Sequence, residues 1–435
     1  MRMKQRAEWC AAASMFVMAV AGFPTAEAAE NGKFRLGIVT FLSGPASGPF
    51  GVPAENAAKV TIAALNAGKL PEPYAMKGIN GVEIETVLVD EAGGASKQVE
   101  EFRNLVERHK VDAVIGYISS GDCLAVVPVA EELKALTIFF DCGTPRIFED
   151  ASYKYVFRTG PIATTDNIGA ARYVFDTRPA TKSIAGINQN YAWGQDSWND
   201  FKAAMQALVP QATVKTEQFP KLGAGQYGAE LSAILVENPD LVHSSFWGGD
   251  MEALVLQGAA RGLFDKRAVV LTCGETGMFR LAQQMPEGAI IGGRGPYGVF
   301  APQNALNAWF RKEYESAYNT PPTYPSYKIV QAILGLKSSA EKAGSEPGKQ
   351  PSTHAIIGKF EGLSFEAPSG TVVMGLGKGH QAVQGIAYGT FKRDASTKSG
   401  TIIDVRNYAA ECVTPPEGTP STEWIKAGMP GAKCG

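Results

Sequence analysis

DAVIGYISSGDCLAVVPVAEE, residues 112–132, joins two apolar runs through Ser119-Ser120-Gly121-Asp122. The run over 111–117 is short and rich in Val and Ile, so it reads as a strand; 124–136 has helical spacing, in which Pro128 fits only near the first turn. The same alternation extends outward on both sides. On the N-terminal side, strands are predicted over 34–44 and 82–93, and helices over 53–68, closed by Gly68, and 96–110. A fourth strand, 137–144, follows. Short apolar strands alternating with helices indicate a parallel sheet covered on both faces.

The pattern then restarts. Strands over 183–190, 213–220, 240–247 and 268–275 alternate with helices over 194–208, 227–238 and 251–262, giving a second α/β unit at roughly 161–294. Helices over 304–318 and 326–344 and strands over 370–375 and 385–394 complete the chain before a Pro- and Gly-rich tail.

Composition narrows the function classes. The 435 residues are 45% hydrophobic and 19% charged, with a net charge of −2, so neither nucleic acid nor an anionic surface is an expected partner. Four scattered histidines and the lack of a CxxC pair support no metal site. Arg2, Lys4 and Arg6, an apolar stretch over 10–23 and Ala26-Glu27-Ala28 predict a secretory signal peptide over 1–28. Export permits disulfides, and Cys412 and Cys434, which bracket the tail, are the expected pair. Pairing of Cys123, Cys142 and Cys273 stays open.

In open parallel sheets, ligands bind beyond the carboxyl ends of the strands. Small polar residues recur at those ends: Ser43-Gly44, Ser119 to Asp122, Gly143-Thr144, Gly248 to Asp250 and Gly274-Glu275. Each could be a turn or a helix cap; together on one sheet edge they form a candidate binding face.

GIVTFLSGPASGPFG (37–51), VDEAGGASKQVEEFRNLVERHKVDAVIG (89–116), SSGDCLAVVPVAEE, CGTP, YAWGQDSWNDF and GHQAVQG occur in an order that resembles the type I periplasmic solute-binding proteins of ABC transporters, in the leucine/isoleucine/valine-binding branch. The resemblance covers roughly 33–395. It implies two Rossmann-like lobes with parallel sheets flanked by helices, joined by three crossovers near 159–161, 295 and 360–370. Lobe one would hold 29–160 plus 296–360, lobe two 161–295 plus 361–395, and 396–435 would be an extension.

The resemblance further implies a periplasmic monomer with no cofactor and no catalysis, which delivers a small amino-acid-like solute to an inner-membrane permease. Ser120, flanked by Ser119 and Gly121, would take the solute carboxylate with Gly143 and Thr144. Phe50, Tyr191, Trp193 and Trp247 would wall the cleft, and Glu275 would pair with an ammonium. Asp122 stands where that branch carries Ser or Thr; it either caps the helix or faces the cleft, where it would oppose a carboxylate. An aromatic acid, amide or urea-like solute, a sensor of the same fold, and an exported enzyme using His243 are the alternatives.

Overall fold

The computed structural model describes residues 32–344, 346–394 and 399–434. The expected signal peptide lies outside the described residues.

The first sheet begins with β1 (Lys33–Thr40), β2 (Glu83–Asp90), β3 (Ala113–Gly116), β4 (Thr137–Phe139) and β5 (Val156–Arg158), all parallel. The connecting helices are α1 (Val52–Ala67), α2 (Ala95–Arg103), α3 (Ser120–Glu132) and the short α4 (Arg146–Glu149). The short central strands β3 and β4 are buried throughout, as continuous apolar runs in a sheet covered on both faces should be. α3 begins at Ser120, four residues earlier than its apolar pattern suggests, and Pro128 lies well inside it. Proline removes one N–H there, yet the helix is held by Val126, Val127 and Val129, all buried in lobe one.

The chain crosses after β5 into α5 (Ala163–Thr177) and builds the second sheet. Its strands β6 (Ser183–Ile187), β7 (Thr213–Gln218), β8 (Leu241–Ser244), β9 (Ala268–Leu271) and β10 (Ile290–Gly292) are parallel, linked by α6 (Ala192–Leu208), α7 (Gly228–Glu237) and α8 (Gly248–Ala260). It then returns to lobe one as α9 (Ala305–Tyr318), α10 (Tyr324–Ala343) and α11 (Thr353–Phe360). α10 is the buried spine of that lobe, with α1 and α11 packed on it.

The lobe boundaries differ from expectation late in the chain. β11 (Ser364–Ala367), β12 (Gly370–Leu376) and β13 (Gln381–Val383) join the first sheet beside β5, giving the order β11-β12-β13-β5-β4-β3-β1-β2. The third crossover is therefore at 384–385 rather than 360–370, and 364–383 belongs to lobe one. The reason is local: β11 and β12 form an antiparallel ribbon whose alternate residues Phe365, Val372 and Met374 fill lobe one's core.

After the crossover, β14 (Ile386–Asp394) pairs antiparallel with β10, and β15 (Ser399–Tyr408) pairs with β14. The second sheet thus runs β15-β14-β10-β9-β8-β6-β7. The final segment is part of lobe two. α12 (Ala410–Val413) packs on α5 and α13 (Ser421–Lys426) on α6, with Trp424 and Ile425 buried in that lobe's core. Cys412 and Cys434 are bonded across this segment, which lacks a sheet of its own.

Replacing both Cys412 and Cys434 with Ser is expected to cost about 3 kcal/mol of stability in urea unfolding, the chain-entropy contribution of a loop of that length. An unchanged transition would show that packing alone holds the tail.

Candidate functional site

The carboxyl ends of both sheets face one another across a small cleft, about 190 Å³ including its open mouth and nearly closed within. Lobe one contributes Phe50, Ile118, Ser120 and Gly143; lobe two contributes Tyr191, Trp193 and Trp247. Arg294, on the second crossover, completes the lining.

Each side chain is placed by a strand-to-helix junction. Ser119 is the N-cap of α3, its hydroxyl accepting from the Asp122 N–H at 3.4 Å. The loop before it is anchored by Glu91, a buried residue after β2 whose carboxylate accepts from the Ile118 and Ser119 N–H groups at 2.7–2.9 Å. Ser120 opens the helix, and its Oγ accepts from the Gly143 and Thr144 N–H groups at 3.2 Å. A disulfide between Cys123 and Cys142 ties the same two loops together. With both N–H groups directed at its oxygen, the Ser120 hydroxyl keeps its own proton for an acceptor in the cleft.

On lobe two, Tyr191 is the N-cap of α6, and its hydroxyl accepts from Trp247 Nε1 at 2.7 Å. It too retains a proton to donate. Trp193 Nε1 donates to the Ser245 carbonyl at 2.8 Å. Trp247 stands 5.2 Å from Phe50, ring centre to ring centre, so the two lobes meet edge to face through aromatic side chains.

Arg294 is the side chain that motif reading missed. It is 4% exposed and lies over the Trp193 ring at 4.1 Å. Its Nε donates to Asp166 of lobe two at 3.0 Å, and its Nη1 donates to the Asp141 carbonyl of lobe one at 3.1 Å and to that residue's carboxylate. Lys328 on α10 reaches the same Asp141 carboxylate at 2.7 Å, and burial pushes its ammonium down to about 8. Arg294 Nη2 alone has no partner. A Cβ on Gly143 would lie 2.4 Å from that nitrogen and from the Trp193 ring, so glycine is needed for the guanidinium to come this close. The available signal was a lone cation in the Gly-rich stretch GGRGP (292–296), directly after a buried strand.

The structure brings Phe50, Ser120, Gly143, Tyr191, Trp193 and Trp247 to one cleft. It does not bring the other predicted residues there. Ser119 caps a helix, and Gly121 lies behind it on the first turn, where a Cβ would touch Ser119 and Tyr191. Thr144 donates to Asp196 of lobe two at 2.7 Å, and Arg146 joins the same carboxylate at 3.0 Å, so these groups hold the lobes together. Asp122 is buried near Glu91, and burial pushes its carboxyl up to about 6.

Glu275 is the largest correction. It is fully buried, and its Oε2 accepts from the Tyr324 N–H at 2.9 Å. Its other oxygen abuts Gly298, where a Cβ would be 1.9 Å away at a φ of +56° that favours glycine. The side chain therefore faces the second crossover and the start of α10 and is absent from the cleft lining. Burial pushes its carboxyl up to about 8, against the Tyr324 N–H, which favours the charged form. His243 is also remote from this chemistry: it is buried in lobe two, stacked on Phe201 and bonded to Asn167 at 2.8 Å. Among the described residues, no cluster of three His, Cys, Asp or Glu could hold a metal, and no helix is long and apolar enough to cross a membrane.

The folded state holds the Glu275 proton where the unfolded chain releases it, so this residue makes stability fall as pH rises from about 4.5 to about 8. Glu275→Gln is expected to remove that part of the fall in pH-dependent unfolding while leaving solute affinity unchanged. Lost affinity would return Glu275 to the site.

No curated protein is significantly similar in sequence. A benzoate-bound solute-binding protein of an ABC transporter from R. palustris has 21% identity and a TM-score of 0.74, over 89% of this chain and 99% of that one. A second, from Rhodopseudomonas palustris BisB5 with 3,4-dihydroxybenzoic acid, has 20% identity and a TM-score of 0.74, over 87% and 98%. The branched-chain amino acid transporter substrate-binding protein LivJ of Streptococcus pneumoniae, with isoleucine, has 16% identity and a TM-score of 0.71, over 87% and 99%. Residues 33–397 match the family model for periplasmic binding proteins. The chain belongs to that family, the type I solute-binding receptors of ABC transporters.

Proposed function

We propose that this receptor works in the periplasm and carries an aromatic carboxylic acid of the benzoate class to its permease. The observation that carries the reading is the donor set of the cleft. The Ser120 hydroxyl, the Tyr191 hydroxyl and Arg294 Nη2 are all left to donate, and no carboxylate lines the cavity. Such a site suits an acceptor with negative charge, most strongly a carboxylate held by a guanidinium. Phe50, Trp193 and Trp247 offer faces and edges to a flat ring. The benzoate complexes of two proteins with this fold are in keeping with that chemistry.

An amino acid, the solute implied by the sequence resemblance, also brings an ammonium. Glu275, its expected partner, is engaged with the Tyr324 backbone outside the cleft. An ammonium buried without an acceptor carries a heavy desolvation penalty, so the amine works against binding here.

Capture needs only that the solute favour the closed lobes over the open ones. A carboxylate on Arg294 does this, because the same side chain is bonded to Asp141 of one lobe and Asp166 of the other.

Calorimetric titration of residues 29–435 is expected to show benzoate binding much more tightly than leucine. Arg294→Gln should weaken benzoate about 10- to 150-fold, the usual range for a lost charged hydrogen bond. Tyr191→Phe, which leaves the ion network intact, should cost about tenfold or less. Tighter binding of leucine than of benzoate would overturn the reading.

A further inference from the structure

A second cavity, of about 700 Å³ including its open mouth, lies on the flank of the molecule. Lobe one supplies Phe148, Arg158 and Leu376; the disulfide-closed tail of lobe two supplies Pro415, Pro416 and Thr419. Arg158, the last residue of β5, is fully buried. Its Nη1 donates to the carbonyls of Cys142 and Thr144 at 3.0 and 2.6 Å, and its Nε donates to Gln381. Its Nη2 has no partner.

Arg158 differs from Arg294 in one decisive respect: it makes no ion pair with any described carboxylate. Two acids do line the cavity, but both already accept other donors. Glu149 accepts from the Ser421 N–H at 3.2 Å and from its hydroxyl, and Glu417 accepts from the Lys378 N–H at 2.9 Å. Glu149 is the nearest counter-charge and offsets part of the burial cost without forming an ion pair, yet burial still pushes this guanidinium down to about 9. What Arg158 lacks is a direct partner for Nη2, which Glu149 does not supply.

The geometry points to a second binding site, for a small organic carboxylate that pairs with Arg158 and lays its apolar part on Phe148, Leu376 and the tail prolines. The site is separate from the interlobe cleft but connected to it, since Arg158 holds the carbonyls on either side of Gly143. One wall comes from each lobe, so an occupant bridges the closed form. This inference does not rest on the identity of the solute in the cleft.

The test is the number of benzoate molecules bound per chain of residues 29–435, by equilibrium dialysis at saturating benzoate. Two are expected. Thr419→Trp, which fills the flank cavity from its rim, should leave one, and Lys378→Glu, which puts a carboxylate at that rim, should weaken the same one. Neither change removes a hydrogen bond made by Arg158. Arg294→Gln should remove the other. If the aromatic-acid reading of the cleft is wrong but the flank site exists, the wild type binds one benzoate, which is lost in Thr419→Trp and kept in Arg294→Gln. If neither Thr419→Trp nor Lys378→Glu changes binding, water meets Arg158 and the flank site is overturned.

Discussion

Arg294 is the interaction on which the closed molecule depends. One guanidinium sits at the junction of two lobes, and each lobe presents it with a buried carboxylate, Asp141 from one and Asp166 from the other. Lys328 balances the second negative charge. Taking four charges out of water is favourable only when all are paired, and removing one partner from such a group typically costs about 3–5 kcal/mol. The cluster is thus a condition of closure more than a source of net stability.

The same side chain faces the cleft. Asp141 and Asp166 engage Nε and Nη1, the Trp193 face supports the plane of the group, and Nη2 is left beside Gly143. On the proposed reading, a solute carboxylate would meet Nη2 only where the lobes have brought both acids together. On that reading, ligand recognition and lobe closure would meet in one residue.

Other interlobe contacts are arranged around that point. Thr144 and Arg146 meet Asp196, and Phe50 meets Trp247 across the cleft. On the flank, Ser421 of the tail meets Glu149 of α4. The tail, which reads in sequence as an appendage, is a wall of lobe two, because α12 and α13 bury Val413, Trp424 and Ile425 against α5 and α6. The Arg158 cavity exists only because that wall is there.

The alternation of short apolar strands with helices was readable residue by residue, because the period of each element is written locally and a sheet covered on both faces demands uniformly apolar strands. From that alternation came the two-lobe plan, the polar junctions at the strand ends and, with the family resemblance, six of the residues that line the cleft: Phe50, Ser120, Gly143, Tyr191, Trp193 and Trp247. The sequence by itself did not determine which partner each charged group finds. Glu275 meets a backbone N–H 49 residues away, and Arg294 meets carboxylates 128 and 153 residues away. Those pairings were decided by the tertiary structure, since a buried charge takes whatever counter-group the packing brings within about 3 Å, and sequence spacing carries no record of that distance.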